Sequence, residues 1–347
     1  MGMIKLPNEA INFFKKNVVT IFENGSLAEG PWNKKVEDII IDYTNAKSAL
    51  TSSSNGSGLL AILECLKYAK GYKSIFLQSN TMYGMKTLAK SSGLDLLGFV
   101  PSSLDTLMPT IDQVKDFIKS IEHPESSVFL LTHIGGWTNP DIHEILDVCN
   151  ENGVAVVEDC AHSLGSRLNE KHTGLYGVAG VYSLYATKSI PVGEGGIIIT
   201  QDEELGDLLK RYSIYDRFEQ KLDFGFNNRM SEINALLTCS VLIHLESIIE
   251  NKYSIAHQYI DICESEGIKY LDPRYINQRS NLYKFIIFDG PNYQLSSIKN
   301  VTSPVYNYSL GLDPEGIVEN HACLPIWYAL EQENIDAVLN ELKQLKK

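Results

Sequence analysis

The amino-acid sequence predicts an α/β protein in which a mainly parallel sheet carries helices on both faces and a smaller α+β unit follows it. Three observations predict this. Apolar runs at residues 74–78, 96–100, 127–132 and 154–157 read as strands buried on both sides. Helical stretches separate them, the alternation that builds a parallel sheet. The chain of 347 residues is long enough for one large core and a second, smaller one. We place the large unit at residues 1–250 and the small one at 251–347.

Taken in order, residues 8–16 predict a short helix, and Gly25, Gly30 and Pro31 mark turns before the next one. In SSSNGSGLLAILECLKYAKG, Leu59, Leu60, Ile62, Leu63 and Leu66 have helical spacing, so a helix starts near Gly56 or Ser57. Its first N–H groups lack intrahelical partners, and Gly56, Ser57 and Gly58 let a phosphate approach them. A plain N-cap accounts for the same residues, and both readings stand here. In the loop HIGGWTNP, residues 133–140, Trp137 and Asn139 either line a crevice at a strand end or pack as a Gly-Gly turn with its indole buried. Residues 202–211 predict a helix. Residues 233–249 carry one apolar stripe at i, i+3, i+4 spacing, read as a single long helix. The small unit contributes a helix from about residue 254, a strand at 282–288 and a final helix at 331–346.

The chemistry gathers between residues 154 and 200. The run VAVVEDCAH reads as a strand that delivers Asp159 to the carboxyl end of the sheet, where open α/β proteins bind ligands. A second apolar strand, 181–185, ends just before Lys188, so an amine and a carboxylate reach one crevice. Pyridoxal 5'-phosphate chemistry requires that pair. The lysine holds the cofactor as a Schiff base, and the carboxylate keeps the pyridine nitrogen protonated so that the ring accepts electrons. Either residue alone reads more simply as a cap or a solvated side chain. His162, three residues after the acid, adds a donor within reach of a ring substituent. The Gly-rich turn at 191–196 lets the backbone pass close to the lysine arm.

Together VVEDCAHSLGS, YSLYATKSIPVGEGGIIITQDEEL and GFNNRMSEINALL resemble the DegT/DnrJ/EryC1/StrS aminotransferases, sugar aminotransferases of bacterial surface-polysaccharide and antibiotic pathways. Matching segments run from about Gly25 to Leu345. The resemblance implies a fold type I transferase with a seven-stranded sheet, with Lys188 and Asp159 as the cofactor's lysine and acid. It also implies Ala161 under the ring, His162 near the phenolic oxygen, and Ser57 and Ser183 at the cofactor phosphate. A homodimer with shared sites is implied as well, Asn227 reaching the partner's phosphate with Arg229 beside it. Two positions depart from the pattern: Met82 replaces the aromatic that stacks on the ring and covers it through sulfur instead, and Asn228 stands where a tyrosine is frequent. The substrate loop is reduced to SSIKNVTSPVYNYSLG, in which Tyr306 and Tyr308 face the substrate or pack. The implied reaction passes an amino group from L-glutamate to a keto sugar, nucleotide-linked, with Lys188 as general base and then acid.

A formal net charge of −13 and a pI near 5.1 argue against nucleic acid or an anionic membrane as the main partner. Cys65, Cys149, Cys160, Cys239, Cys263 and Cys323 lie far apart with no CxxC pair, as reduced thiols do, and fit neither a zinc site nor a disulfide framework. Cys160 points to the side of its strand opposite Asp159 and takes a structural role. No run of about 18 apolar residues occurs, so the protein is expected in the cytoplasm. Lys188 argues against the dehydratases of the family, which carry His there and use pyridoxamine phosphate. Two alternatives remain: an aminotransferase for a small ketone, cyclitol or phosphorylated triose, and a non-catalytic protein of the same fold.

Overall fold

The computed structural model describes residues 5–215, 222–274 and 277–345. In chain order its strands are β1 (Ser48–Ser52), β2 (Ser74–Gln78), β3 (Asp95–Val100), β4 (Ser127–Thr132), β5 (Ala155–Cys160), β6 (Arg167–Leu168) and β7 (Lys171–His172). They continue with β8 (Ala179–Ser183), β9 (Gly196–Thr200), β10 (Gln278–Arg279), β11 (Phe285–Phe288) and β12 (His321–Leu324). Seven of them form the main sheet in the order β1-β9-β8-β5-β4-β2-β3. Pairs β2–β3, β2–β4, β4–β5 and β5–β8 are parallel, whereas β9 runs antiparallel to both β8 and β1. All but β9 therefore point the same way, and their carboxyl ends share one rim.

Burial explains the uniformly apolar runs. Every residue of β2, β4, β5, β8 and β9 is buried, whereas edge strand β3 opens with an exposed Asp95. The helices are α1 (Asn8–Asn24), α2 (Pro31–Thr44), α3 (Asn55–Lys70), α4 (Tyr83–Ser91), α5 (Ile111–Lys119), α6 (Ile142–Glu151), α7 (Glu203–Ile214), α8 (Glu232–Leu242), α9 (Leu245–Glu266) and α10 (Gln332–Leu342). Alternate residues of one strand serve opposite layers. Leu130 and Val157 pack with Leu59, Ile62 and Leu66 of α3, while Phe129, Leu131 and Val156 pack with Val114 of α5 and Ile145 of α6. Each such side chain contributes about 1.5–3 kcal/mol by burial.

The small-unit boundary expected at 250/251 falls inside α9. Its Leu245, Ile248 and Ile249 belong to a core with Tyr182 and Ile197, while its Ile255, Tyr259 and Cys263 belong to another with Phe285, Leu324 and Val338. Three expectations about single elements change. Helix α1 runs to Asn24, where Gly25 takes the left-handed conformation (φ 67°) that ends it. The single helix over 233–249 is two, α8 and α9, meeting at a bend of 54°. The strand at 282–288 shortens to β11 because Leu282 takes φ 51°, incompatible with strand geometry. No single described helix is long and apolar enough to cross a membrane.

Candidate active site

Strand register builds the floor of the site. Across the rim Thr132 pairs with Asp159 and Asp159 with Val181, while Ser52 and Ser183 both pair with Gly196. The amino end of α3 rests on this row. A Cβ on Gly196 would stand 2.5 Å from the Ser54 carbonyl oxygen, and one on Gly58 2.8 Å from Val181 Cγ1, so glycine is what lets helix and sheet meet. Ser54 is the N-cap. Its Oγ accepts the Ser57 N–H and Ser57 Oγ accepts the Ser54 N–H, both at 3.0 Å, a reciprocal capping box. The helix thus begins at Asn55, slightly before the predicted start, with Ser57 at its third position inside the capping box. The first N–H groups, of Asn55 and Gly56, have no intrahelical acceptor. Ser183 is buried, and its Oγ accepts from the Tyr185 N–H at 3.3 Å.

Asp159 is 2 % exposed. Its Oδ1 accepts from Asn55 Nδ2 at 3.1 Å and from the Ala161 N–H at 3.0 Å, and its Oδ2 accepts from Thr132 Oγ1 at 3.4 Å. Burial pushes this carboxyl above the usual range, against the opposing pull of the Ala161 N–H, Lys188 and Asn55. No cationic side chain among the described residues forms an ion pair with it.

Lys188 lies in the loop between β8 and β9, half-buried. Its backbone N–H returns to the Tyr185 carbonyl at 2.8 Å, and its Nζ donates to Tyr283 Oη at 3.4 Å, 4.5 Å from the centre of that ring. The Tyr283 ring in turn stacks on His162 at 4.3 Å. Burial lowers the His162 imidazole well below its ordinary value, and Lys188 lowers it further, so the ring is neutral. Burial alone would raise the Tyr283 phenol, but Lys188 and its neighbours hold it below the usual value. Lys188 therefore acts electrostatically on Asp159, His162 and Tyr283 alike, in one crevice at the carboxyl rim.

A model of the DegT/DnrJ/EryC1/StrS aminotransferase family matches residues 8–290. The chain belongs to this family. Among solved structures, a DegT/DnrJ/EryC1/StrS aminotransferase from Brucella abortus superposes with TM-score 0.87 at 18% identity, covering 100% of this chain and 99% of that one. Aminotransferase TlmJ from Streptoalloteichus hindustanus gives 0.84 at 22%, covering 99% and 97%. Helicobacter pylori PseC, an aminotransferase involved in the biosynthesis of pseudoaminic acid, gives 0.84 at 20%, covering 99% and 98%. The likeness is one of fold, and it agrees with the fold type I architecture.

Several side chains of this aminotransferase sit elsewhere than the crevice. Trp137 is buried in a core with Met108, Ile134 and Phe288, and Asn139 Nδ2 donates to the Pro109 carbonyl at 2.9 Å, so the packing reading of HIGGWTNP holds. Asn227 is exposed, its Oδ1 accepting the Arg229 N–H at 3.4 Å, while Arg229 Nη1 donates to the Ser213 carbonyl at 2.9 Å. Met82, 46% exposed, is the N-cap of α4. Behind the rim His133, Glu158 and Cys160 cluster. Glu158 is saturated, however: it accepts from the N–H groups of Gly174, Tyr176 and Gly177 and faces His133 Nε2, all within 2.6–2.7 Å. The cluster is a structural network.

Sequence reasoning missed Asn55 and Tyr283. The segment carrying Tyr283 is fastened to the large unit: Asn281 Nδ2 donates to the His162 and Leu164 carbonyls, and Ser280 Oγ to the Gly136 carbonyl, at 2.8–2.9 Å. The short segment left open as substrate-facing or packed lies against residues of the large unit. Tyr306 lies 6.0 Å from the His162 ring. Tyr308 Oη accepts the Tyr83 N–H at 2.6 Å, and the Leu310 N–H bonds the Ser79 carbonyl at 2.9 Å.

Proposed function

We propose that this aminotransferase holds pyridoxal 5'-phosphate at Lys188 and passes an amino group from L-glutamate to a nucleotide-linked keto sugar, in surface-polysaccharide or secondary-metabolite biosynthesis. The observation that carries the reading is the buried Asp159 carboxylate with three hydrogen-bond donors and no cation paired to it among the described residues. A protonated pyridine nitrogen would supply the missing charge. The donor set fits at the other end too: the first turn of α3, Ser57 and Ser183 suit a phosphate.

When bound, the cofactor supplies an aldehyde that exchanges for an amine and a ring that accepts electrons. The residues do the rest. Asp159 would hold the proton at the ring nitrogen. Lys188 Nζ, displaced from the cofactor by the donor amine, would take the proton from the donor's amine-bearing carbon as base and deliver it to the cofactor's aldehyde carbon as acid. Neutral His162 would offer a hydrogen bond at the phenolic oxygen, and Ala161 and Met82 are the residues that would cover the ring. In a homodimer with shared sites, exposed Asn227 is the residue that would reach the phosphate of the second copy. The keto-sugar reading draws on relatives: PseC serves pseudoaminic acid biosynthesis, and GDP-4-keto-6-deoxymannose-3-dehydratase, a structure with bound GDP-perosamine, matches with TM-score 0.82 at 18% identity.

One observation favours a second reading. The shortened segment spanning Tyr306 to Leu310 lies against the crevice mouth, which suits a small ketone, cyclitol or phosphorylated triose. Incubating the cofactor-loaded protein with glutamate and a panel of nucleotide-linked 3-keto and 4-keto sugars beside simple ketones tests both. Amine product from a nucleotide sugar supports the first reading, and turnover confined to a small ketone replaces it with the second.

A further inference from the structure

Lys252 is a buried lysine without an acid. It projects from α9, is 3 % exposed, and its Nζ donates to Ser189 Oγ at 3.1 Å. Among the described residues no carboxylate lies within ion-pair distance. It lines one pocket with Lys188, Ser189, Lys5, Trp327 and Tyr328, and no acidic side chain lines that pocket. In a chain of net charge −13 such a pocket is unusual. Burial lowers the Lys252 ammonium to about 7 with no carboxylate opposing it. Its helical neighbours Ile248, Ile249, Ile255 and Ala256 are core residues, so an apolar side chain would fit this position at less cost.

We infer that Lys252 and Ser189 form the subsite for a carboxylate of the amino donor, beside Lys188. The inference rests on the reading of Lys188 given above. A donor must bring its amino group to the cofactor held at Lys188, and its carboxylates extend only a few bonds further. One ammonium and one hydroxyl match a single carboxylate, whereas a diphosphate needs more donors. The incoming anion fixes the proton on Lys252 and gives the buried charge its partner. The Trp327 indole offers an apolar wall to the donor's methylene stem.

The test uses cofactor-loaded protein and the two half-reactions separately. Lys252→Met should raise the glutamate concentration needed for half-maximal bleaching of the cofactor band about tenfold to a hundredfold. The keto-substrate concentration for the return half-reaction should change less than about twofold. Glutarate, a dicarboxylate that cannot react, should raise the unfolding temperature of the parent protein and of Lys252→Arg but not of Lys252→Met. An unchanged glutamate requirement, a loss confined to the keto substrate, or equal glutarate protection of Lys252→Met overturns the inference while the cofactor band leaves the Lys188 reading intact. Absence of that band in the parent protein overturns both. Should Lys252→Met fail to fold, Lys252→Gln is measured in the same way.

Discussion

The Asn55 side-chain amide donates to the Asp159 carboxylate at 3.1 Å and to the Val181 carbonyl at 2.8 Å. One residue thus fastens the amino end of α3 both to the acid and to the neighbouring strand. The proposed phosphate end and ring-nitrogen end of the site are held at a fixed separation by this side chain.

Asn55→Ala should therefore cost stability and cofactor affinity together. It strips Asp159 of a donor and leaves a buried carbonyl short of one, an expected loss of about 1–3 kcal/mol. Denaturant unfolding and cofactor titration of the same sample check this, and an unchanged midpoint would count against the clamp.

Asp159→Asn keeps the side-chain shape but removes the charge. The donor half-reaction should slow about a hundredfold or more, with a much smaller loss of cofactor binding. Stopped-flow rates beside cofactor titration separate the two effects.

Lys252 makes stability depend on pH with a definite sign. Its folded-state value, about 7, lies below the ordinary 10.5, so the unfolded chain binds the extra proton between those limits and stability rises with pH across them. The penalty is complete below pH 7 and vanishes above about 10.5, with an upper limit of about 5 kcal/mol. Lys252→Met should be the more stable protein at pH 6, and its advantage should shrink towards pH 10. Denaturant midpoints at several pH values, without donor, check this.

Glu158→Gln replaces a carboxylate that accepts three backbone N–H groups and faces His133. An amide turns one acceptor into a donor against those groups, an expected loss of about 3–5 kcal/mol. Zinc and chelators should leave the unfolding temperature of the parent protein unchanged, because Glu158 has no lone pair to spare.

Asp159 and Lys188 were legible because uninterrupted apolar strands lead to the rim beside each, and period alone places a strand's end. Asn55 and Tyr283 were not. Their contacts span 104 and 95 residues, and no local pattern encodes them. Lys252 gave a signal that went unread: it lies four after Ile248 and three before Ile255, on the apolar stripe of its helix, where a solvated lysine does not belong. The bend between α8 and α9 escaped because the stripe continues on both sides of it.

Borohydride reduction of the protein mixed with pyridoxal 5'-phosphate, followed by peptide mass analysis, reads out which lysine carries the cofactor. A visible absorbance band that glutamate bleaches is expected, with a reduced adduct on the peptide containing Lys188. No adduct, or one on Lys252 or another lysine with Lys188 unmodified, would contradict that assignment.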